Sequence, residues 1–488
     1  VFLHLSDRIC AATGVPNFCQ QLVSQDGDII RDWKAWDQLG QPLNLQVAFQ
    51  MATKSLSHEL LEFSSTGDHD KVQEILQQFQ DPNVVDPAGE SPMVKASRGG
   101  HLEVVQLLLE ALADLRPGPP GQPGPPGALP LLAASTAGHR EVVQQLLWAR
   151  CDSELRDALG NTALSRAAEA GQVEVARTLL LTANVDAENL AGQTPLLIAA
   201  MRGLFSMMCL LLRNGADKDV ADMHGYTALM ASSSRGDLRG VTYLLEACAQ
   251  VNKMTSKGRT ALYMAAETGH FKALRCLLAA RADPDVRDQH GCTALFLAAQ
   301  IGRSDVVGAL LEARADHDLK TVNGRSPMST AVHCGHVEVV KLFLAHASSA
   351  PCDASSLCIA VQNGHDEIVR CMLTSACSAG SAGSWTPTPE TPLLMAAELG
   401  HANILRLLLE AGGYGDPGEA LCLAAGRGHV AAATMLLHFR AEVNHRRSPS
   451  ELSPLLLAAE HDSLEMLQLL LEARADPSVQ DASGCGAV

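Results

Sequence analysis

Apolar residues in this chain fall into two short helical patterns that alternate at a fixed interval. Residues 261–268 read Ala-Leu-Tyr-Met-Ala-Ala-Glu-Thr and predict a helix of about two turns, apolar over most of its circumference. The stretch that follows places Leu274, Leu277 and Leu278 at i, i+3 and i+4, which predicts an amphipathic helix with one buried stripe. Val104, Val105, Leu107, Leu108 and Leu109 repeat that second pattern far upstream. Polar turns rich in Gly, Asp and Asn separate one pair of helices from the next.

The interval is set by a recurring phrase. Gly160-Asn161-Thr162-Ala163-Leu164, Gly192-Gln193-Thr194-Pro195-Leu196 and Gly225-Tyr226-Thr227-Ala228-Leu229 are followed by Gly258-Arg259-Thr260-Ala261-Leu262, Gly291-Cys292-Thr293-Ala294-Leu295 and Gly324-Arg325-Ser326-Pro327-Met328. The Thr/Ser positions step by 32, 33, 33, 33 and 33 residues. A fixed period of that size means stacked units, each burying only half a core alone.

Each part of the unit has a physical reason. The Gly suits a turn that needs positive φ, and the following Thr is placed to cap the first helix. Pro or Ala comes next, at the first helical position. Paired alanines at 167/168, 199/200, 265/266 and 298/299 let neighbouring helices approach closely. Gly-His, as at 100/101, 138/139, 269/270, 335/336 and 428/429, ends the first helix at a positive-φ stop. Ala-Asp, as at 216/217 and 282/283, ends the second.

These phrases resemble the ankyrin repeat, a β-turn followed by two antiparallel helices, over about 430 of the 488 residues. The resemblance implies an all-α solenoid of about twelve units across 87–488, with anchors near 91, 129, 162, 194, 227, 260, 293, 326, 355, 391, 419 and 453. A degenerate capping repeat precedes them at 55–86. The family favours His after Thr-Pro-Leu. This chain has Ser165, Leu197, Met230, Tyr263, Phe296 and Ser329 there, which removes that residue's hydrogen-bonded support of the turn.

Several stretches interrupt the period. Residues 117–127 have Gly at every third position, too few triplets for a collagen helix, and read as a polyproline-like loop or as a docking segment for a proline-reading domain. A Ser/Gly/Pro loop is expected over 375–389. Spacings shorten to 29 before Ser355 and 28 before Glu419, predicting blunted turns. The last unit, from Asp481, starts a turn and stops, which reads as a truncated array.

Residues 1–50 lie outside the period. A helix at Leu5–Ile9, Gly14-Val15-Pro16, a hairpin through Asp26-Gly27 and a strand at Leu43–Val47 resemble the latter two-thirds of a ubiquitin-like β-grasp fold. The expected fold class is therefore an all-α ankyrin solenoid preceded by a small truncated α+β segment. No Gly-Gly follows the last strand, so conjugation to targets is not expected. Val23 falls at that family's partner-binding patch, and the plainer role is a structural appendage.

Composition narrows the function. Hydrophobic residues make up 47% and aromatics only 4%, so the core is thin layers of Leu, Ala, Val and Met. A net charge of −17 argues against nucleic acid. No apolar run reaches about 18 residues, so no membrane span is expected. The 14 cysteines show no pair spacing, which points to a reducing compartment, the cytoplasm, with the nucleus as the alternative. No nucleotide-binding, hydrolase or metalloprotease motif occurs. His333, Cys334 and His336 cluster, but Gly335-His336 is the repeat's own helix stop and no second ligand pair stands at zinc spacing. No enzyme, cofactor, metal or small-molecule substrate is expected.

Positions that vary within the unit mark the binding surface. By resemblance they line a concave face, and they include Leu159, Asn161, Leu190, Gln193, Met201 and Arg202. The strongest candidates are Met223, His224, Tyr226 and Arg235, then Lys257, Arg259, Gln289 and His290, then Asn323 and Arg325. Tyr226 and Arg259 stand outside the repeat's structural residues. The leading expectation is a non-catalytic adaptor or scaffold for a protein partner. A ubiquitin-pathway substrate adaptor and a regulatory part of a larger enzyme are the alternatives.

Overall fold

A computed structural model describes residues 54–78, 81–115, 129–346, 354–378, 391–412, 415–447 and 452–480. Among these residues there are 26 α-helices and no strand; isolated bridges include Ala221 with Thr227 and Arg447 with Leu452. The chain divides into two compact units, Val1–Gln250 and Val251–Val488.

Helix pairs repeat in both units. In the first, Pro195–Arg202 precedes Phe205–Arg213; in the second, Ala261–Thr268 precedes Phe271–Ala279. Within each unit, first helices pack on first helices and second helices on second helices. The first helix is enclosed nearly all round, with Pro195 through Ala200 buried, whereas the second buries one stripe, Met207, Met208, Leu210 and Leu211. Ala167, Ala168, Ala199, Ala200, Ala265 and Ala266 have no exposed surface, so the layer between first helices has no room for a larger side chain.

Local signals set the helix ends. Thr194 Oγ1 accepts from Leu197 N–H at 3.3 Å and Thr260 Oγ1 from Tyr263 N–H at 3.3 Å, satisfying donors the helix leaves open. The closing glycines have left-handed backbones, and one of them also faces a close neighbour. At Gly302 (φ 83°) a Cβ would stand 2.5 Å from His336 Nδ1.

That contact shows what the Gly-His histidines do. His336 Nε2 lies 3.0 Å from Gln300 O, His101 Nε2 3.0 Å from Ser65 O, His139 Nε2 2.9 Å from Arg98 O and His429 Nε2 2.9 Å from Glu398 O. A carbonyl only accepts, so Nε2 carries the proton and ties each repeat to the one before it. Gln172 Nε2 makes the equivalent bond to Thr136 O at 3.3 Å.

A second ladder runs behind the turns. In the first unit Asp217 N–H donates to Asp186 Oδ1 (3.0 Å) and Gln250 N–H to Asp219 Oδ1 (2.7 Å). In the second, Asp283 N–H donates to Asn252 Oδ1 (2.9 Å), Asp316 N–H to Asp285 Oδ1 (2.8 Å) and Asp476 N–H to Asn444 Oδ1 (2.9 Å).

Three expectations about boundaries need correction. The anchor expected near Ser355 falls inside a helix that begins at Ala354. The helix expected at Glu419 spans Pro417–Gly426 and is capped by Asp416, whose Oδ1 accepts from Gly418 N–H at 2.8 Å. Asp followed by Pro is the stronger start signal, and Glu419 falls in the first turn, where the helix dipole favours it. Residues 375–378 are the end of the helix Asp366–Ser378, since Ser-Ala-Cys-Ser contains neither Gly nor Pro. The rest of that loop, the 117–127 insert, the β-grasp-like segment 1–50 and the truncated end from 481 lie outside the described residues.

Candidate protein-binding surfaces

Each full-length turn is tied by one side chain placed three residues before its left-handed glycine. In the first unit Asp157 Oδ1 accepts from Leu159 N–H and Asn161 N–H, both at 2.9 Å. Asn189 Oδ1 accepts from Ala191 N–H (3.0 Å) and Gln193 N–H (2.9 Å), and Asp222 Oδ1 from His224 N–H (2.9 Å) and Tyr226 N–H (2.8 Å). In the second unit Asp288 Oδ1 accepts from His290 and Cys292 N–H at 2.8 Å, while Thr255 and Thr321 hold Arg259 N–H (3.1 Å) and Arg325 N–H (3.2 Å). The turns thus have the support that the missing family His was expected to supply. Asp, Asn or Thr at 157, 189, 222, 255, 288 and 321 is the sequence signal for it.

Backbone bonds then join consecutive turns. Leu190 N–H donates to Leu159 O (3.0 Å) and Met223 N–H to Ala191 O (3.2 Å); in the second unit Gln289 N–H donates to Lys257 O (3.0 Å) and Val322 N–H to His290 O (3.0 Å). The tips are therefore fixed in register, and their side chains form rows.

Of the predicted residues in the first unit, Met223, His224 and Arg235 are exposed and Tyr226 is half-buried. Arg235 lies against Gly203. Met223 borders a cavity of about 670 Å³, together with Leu159, Leu190 and Met201. Asn161, Asn189 and Gln193 also line it, as do Arg166, Glu169 and Arg202. Asn189, Arg166 and Glu169 were not legible as site residues, because their roles depend on partners up to 33 residues away.

Those charged groups form a chain of ion pairs. Arg166 binds Asp157 Oδ2 through Nε (2.8 Å) and Nη2, and donates from Nη1 to Glu169 Oε2 at 2.9 Å. Arg202 Nη2 takes the other Glu169 oxygen at 2.6 Å. Two guanidiniums and two carboxylates are matched, and every carboxylate oxygen is bound.

In the second unit Lys257, Gln289, His290, Asn323 and Arg325 are exposed, and Arg259 is half-buried. Arg259 Nη1 donates to Glu267 Oε1 at 3.4 Å, and its guanidinium sits 5.1 Å over the Tyr263 ring. Its Nε is enclosed, with no hydrogen-bond partner among the described residues. Arg259 therefore packs as part of the repeat, contrary to the expectation that it stands outside the structural residues. Tyr263 OH donates to Asp288 Oδ2 at 2.8 Å; burial, then Asp288, holds the phenol well above its ordinary range. Burial, then the Asp288 charge, also pushes the Cys292 thiol up.

The His333–Cys334–His336 cluster gathers no converging ligands. His336 is engaged with Gln300 O, and His333 Nδ1 lies 3.4 Å from Asn363 Nδ2. Among the described residues only Asp316, His317 and Asp318 bring three possible metal-ligating atoms together, and both carboxylates are exposed. No helix among them is long and apolar enough to cross a membrane.

The chain matches the family described as ankyrin repeats (3 copies) over residues 60–147, 130–222, 196–288, 229–321, 273–354, 295–381, 344–418 and 393–481. With those overlapping matches reaching from 60 to 481, it belongs to the ankyrin-repeat family. Ankyrin repeats are generally protein–protein interaction modules and typically non-catalytic. No curated protein matches the chain.

Proposed function

We propose that the protein is a non-catalytic adaptor, acting in the cytoplasm, that holds a partner protein on the faces formed by its turns and first helices. The observation that carries this reading is the row of solvent-facing apolar side chains at the turn tips of the first unit, on a backbone fixed by hydrogen bonds. Such rows are expensive to expose and mark interaction surfaces. In this reading Met223, His224, Tyr226 and Arg235 contact the partner in the first unit. Lys257, Gln289, His290, Asn323 and Arg325 do so in the second, and Arg259 positions its turn as well as facing the partner. Nothing in the repeats favours the ubiquitin-pathway reading, which draws on residues 1–50 alone, or the reading as part of a larger enzyme.

The test is affinity capture with the full chain, followed by two exposed double variants, Met223→Ser/His224→Ala and Lys257→Ala/His290→Ala. At least one should lose capture by roughly tenfold, a loss of about 1.4 kcal/mol. Thermal unfolding should stay unchanged, because all four side chains face solvent. Undiminished capture by both variants would move binding off these faces.

A further inference from the structure

We propose that the cavity in the first unit takes an extended peptide segment of the partner, aliphatic on one side and uncharged along its length. The inference rests on the adaptor reading and adds the chemistry of what is bound.

The rim of the cavity supplies the apolar half of the argument. Leu159 (58% exposed), Leu190 (70%) and Met223 (64%) stand on three successive turns, with Met201 (41%) opposite on the helix Pro195–Arg202. Three turns at roughly 8–10 Å per repeat span about 16–20 Å. An extended chain rising about 3.3 Å per residue covers that span with about five or six residues. Alternate side chains of such a segment face the same way, so aliphatic residues two apart would meet this rim.

The floor supplies the polar half. Asn189 Oδ1 is occupied by the two turn N–H groups, so its Nδ2 must face Asn161 and Gln193. Asn161 Oδ1 (3.0 Å) and Gln193 Oε1 (3.2 Å) accept from it, which turns both of their amide nitrogens away from Asn189. Asn161 Nδ2 makes no bond among the described residues, and Gln193 Nε2 has only the thioether of Met201 at 3.6 Å. Two donors without a strong acceptor, beneath an apolar rim, suit the carbonyl oxygens of a peptide backbone.

Charge decides the rest. From Asp157 through Arg166 and Glu169 to Arg202 the two negative and two positive charges are matched, and both carboxylates are fully bound. A partner carboxylate or ammonium entering here would lose hydration and find its counter-ion already paired. The occupant is therefore uncharged where it crosses the floor.

Panning the full chain against a phage-displayed library of random linear peptides tests this. Selected peptides should share an uncharged stretch with aliphatic residues two apart, and their affinity should change little with added salt. Leu190→Ser/Met223→Ser should weaken them by roughly tenfold or more, and Gln193→Leu by a few-fold, with the unfolding midpoint unchanged. Peptides charged across the stretch and weakened by salt, yet lost in the double variant, would overturn this inference and leave the adaptor reading standing. Peptides indifferent to Leu190→Ser/Met223→Ser, or no selected peptide at all, would also overturn it. Affinity capture then decides the adaptor reading separately.

Discussion

The turn at 157–161 in the first unit and the turn at 288–292 in the second are built on the same residue and secured by different neighbours. Asp157 and Asp288 each use Oδ1 to hold two backbone N–H groups of their own turn. The outer oxygen of Asp157 is bound by Arg166, from the helix of its own repeat. The outer oxygen of Asp288 is bound by the hydroxyl of Tyr263, from the repeat before. One turn is locked within its repeat and its charge is cancelled. The other is locked between repeats, and its carboxylate lies beside Cys292 and Arg259. The tips follow suit: apolar at 159, 190 and 223 in the first unit, polar or basic at 257, 289, 290, 323 and 325 in the second, where Val322 is the exposed apolar exception. The difference shows that the turn's hydrogen bonds and its display chemistry are set by separate positions.

Removing the ionic lock should have the largest effect. Arg166→Ala leaves Asp157, only 6% exposed, as an enclosed carboxylate without its counter-charge. Breaking such a pair costs about 3 kcal/mol. Hydrogen exchange should show the amides of Leu159 and Asn161 opening far more readily than in the parent. A change confined to Glu169 and Arg202 would mean the turn does not depend on this lock, and the contrast between the two units would lose its basis.

The layer that both units share should answer equally in each. Ala200→Leu and Ala266→Leu place a larger side chain where no surface is exposed, costing roughly 1–3 kcal/mol by overpacking. Denaturant unfolding followed by exchange in each unit reads the two costs. A large inequality would show that the units differ in their packing and not only at their turns. Tyr263→Phe should come next, at about 1.5 kcal/mol, for one hydrogen bond to a carboxylate. Its mark is location: faster exchange at His290 and Cys292, one repeat away from the substitution. Protection there that stays at the parent level would remove the link between repeats.

Much of this was legible in the sequence, for identifiable reasons. Thr162, Thr194, Thr227, Thr260 and Thr293 cap helices through contacts three residues away, so a local phrase suffices to find them. The closing glycines and the alanine pairs are likewise single-residue requirements repeated many times. Ser355 and Glu419 misled because the links before them are shortened, so the spacing of the repeat phrase no longer marks where the helix starts. Arg259 misled for another reason: it varies between repeats, as a binding residue would, yet it covers Tyr263 and reaches Glu267. The amide row of Asn161, Asn189 and Gln193 joins residues from two repeats, and a periodic reading treats each as a separate turn residue. Pairings across repeats are where the sequence pattern stops being informative.

The smallest effect concerns the ladder behind the turns, where the same rung is built from an acid in one repeat and an amide in the next. Asn252 Oδ1 holds Asp283 N–H at 2.9 Å, and Asp285 Oδ1 holds Asp316 N–H at 2.8 Å, so an amide can do the work of the carboxylate. Burial raises the pKa of Asp285 most; the Asp316 N–H bond opposes this, and the charges of Asp283 and Asp316 add to it. A carboxyl whose folded pKa is raised binds its proton more tightly when folded. Its contribution to stability is then greatest below the unfolded value, about pH 4, and is lost as pH rises through the folded one. Asp285→Asn keeps the bond and removes the like charge, so at neutral pH it should stabilise by about a few tenths of a kcal/mol, the scale of exposed charge interactions. The gain should shrink as the pH falls through the carboxylate range toward about 4 and below, where Asp285 takes up its own proton. Unfolding midpoints of variant and parent across that range measure both points. A variant less stable at neutral pH, or a difference that does not shrink on acidification, would show that the carboxylate contributes more than the amide that replaces it at Asn252.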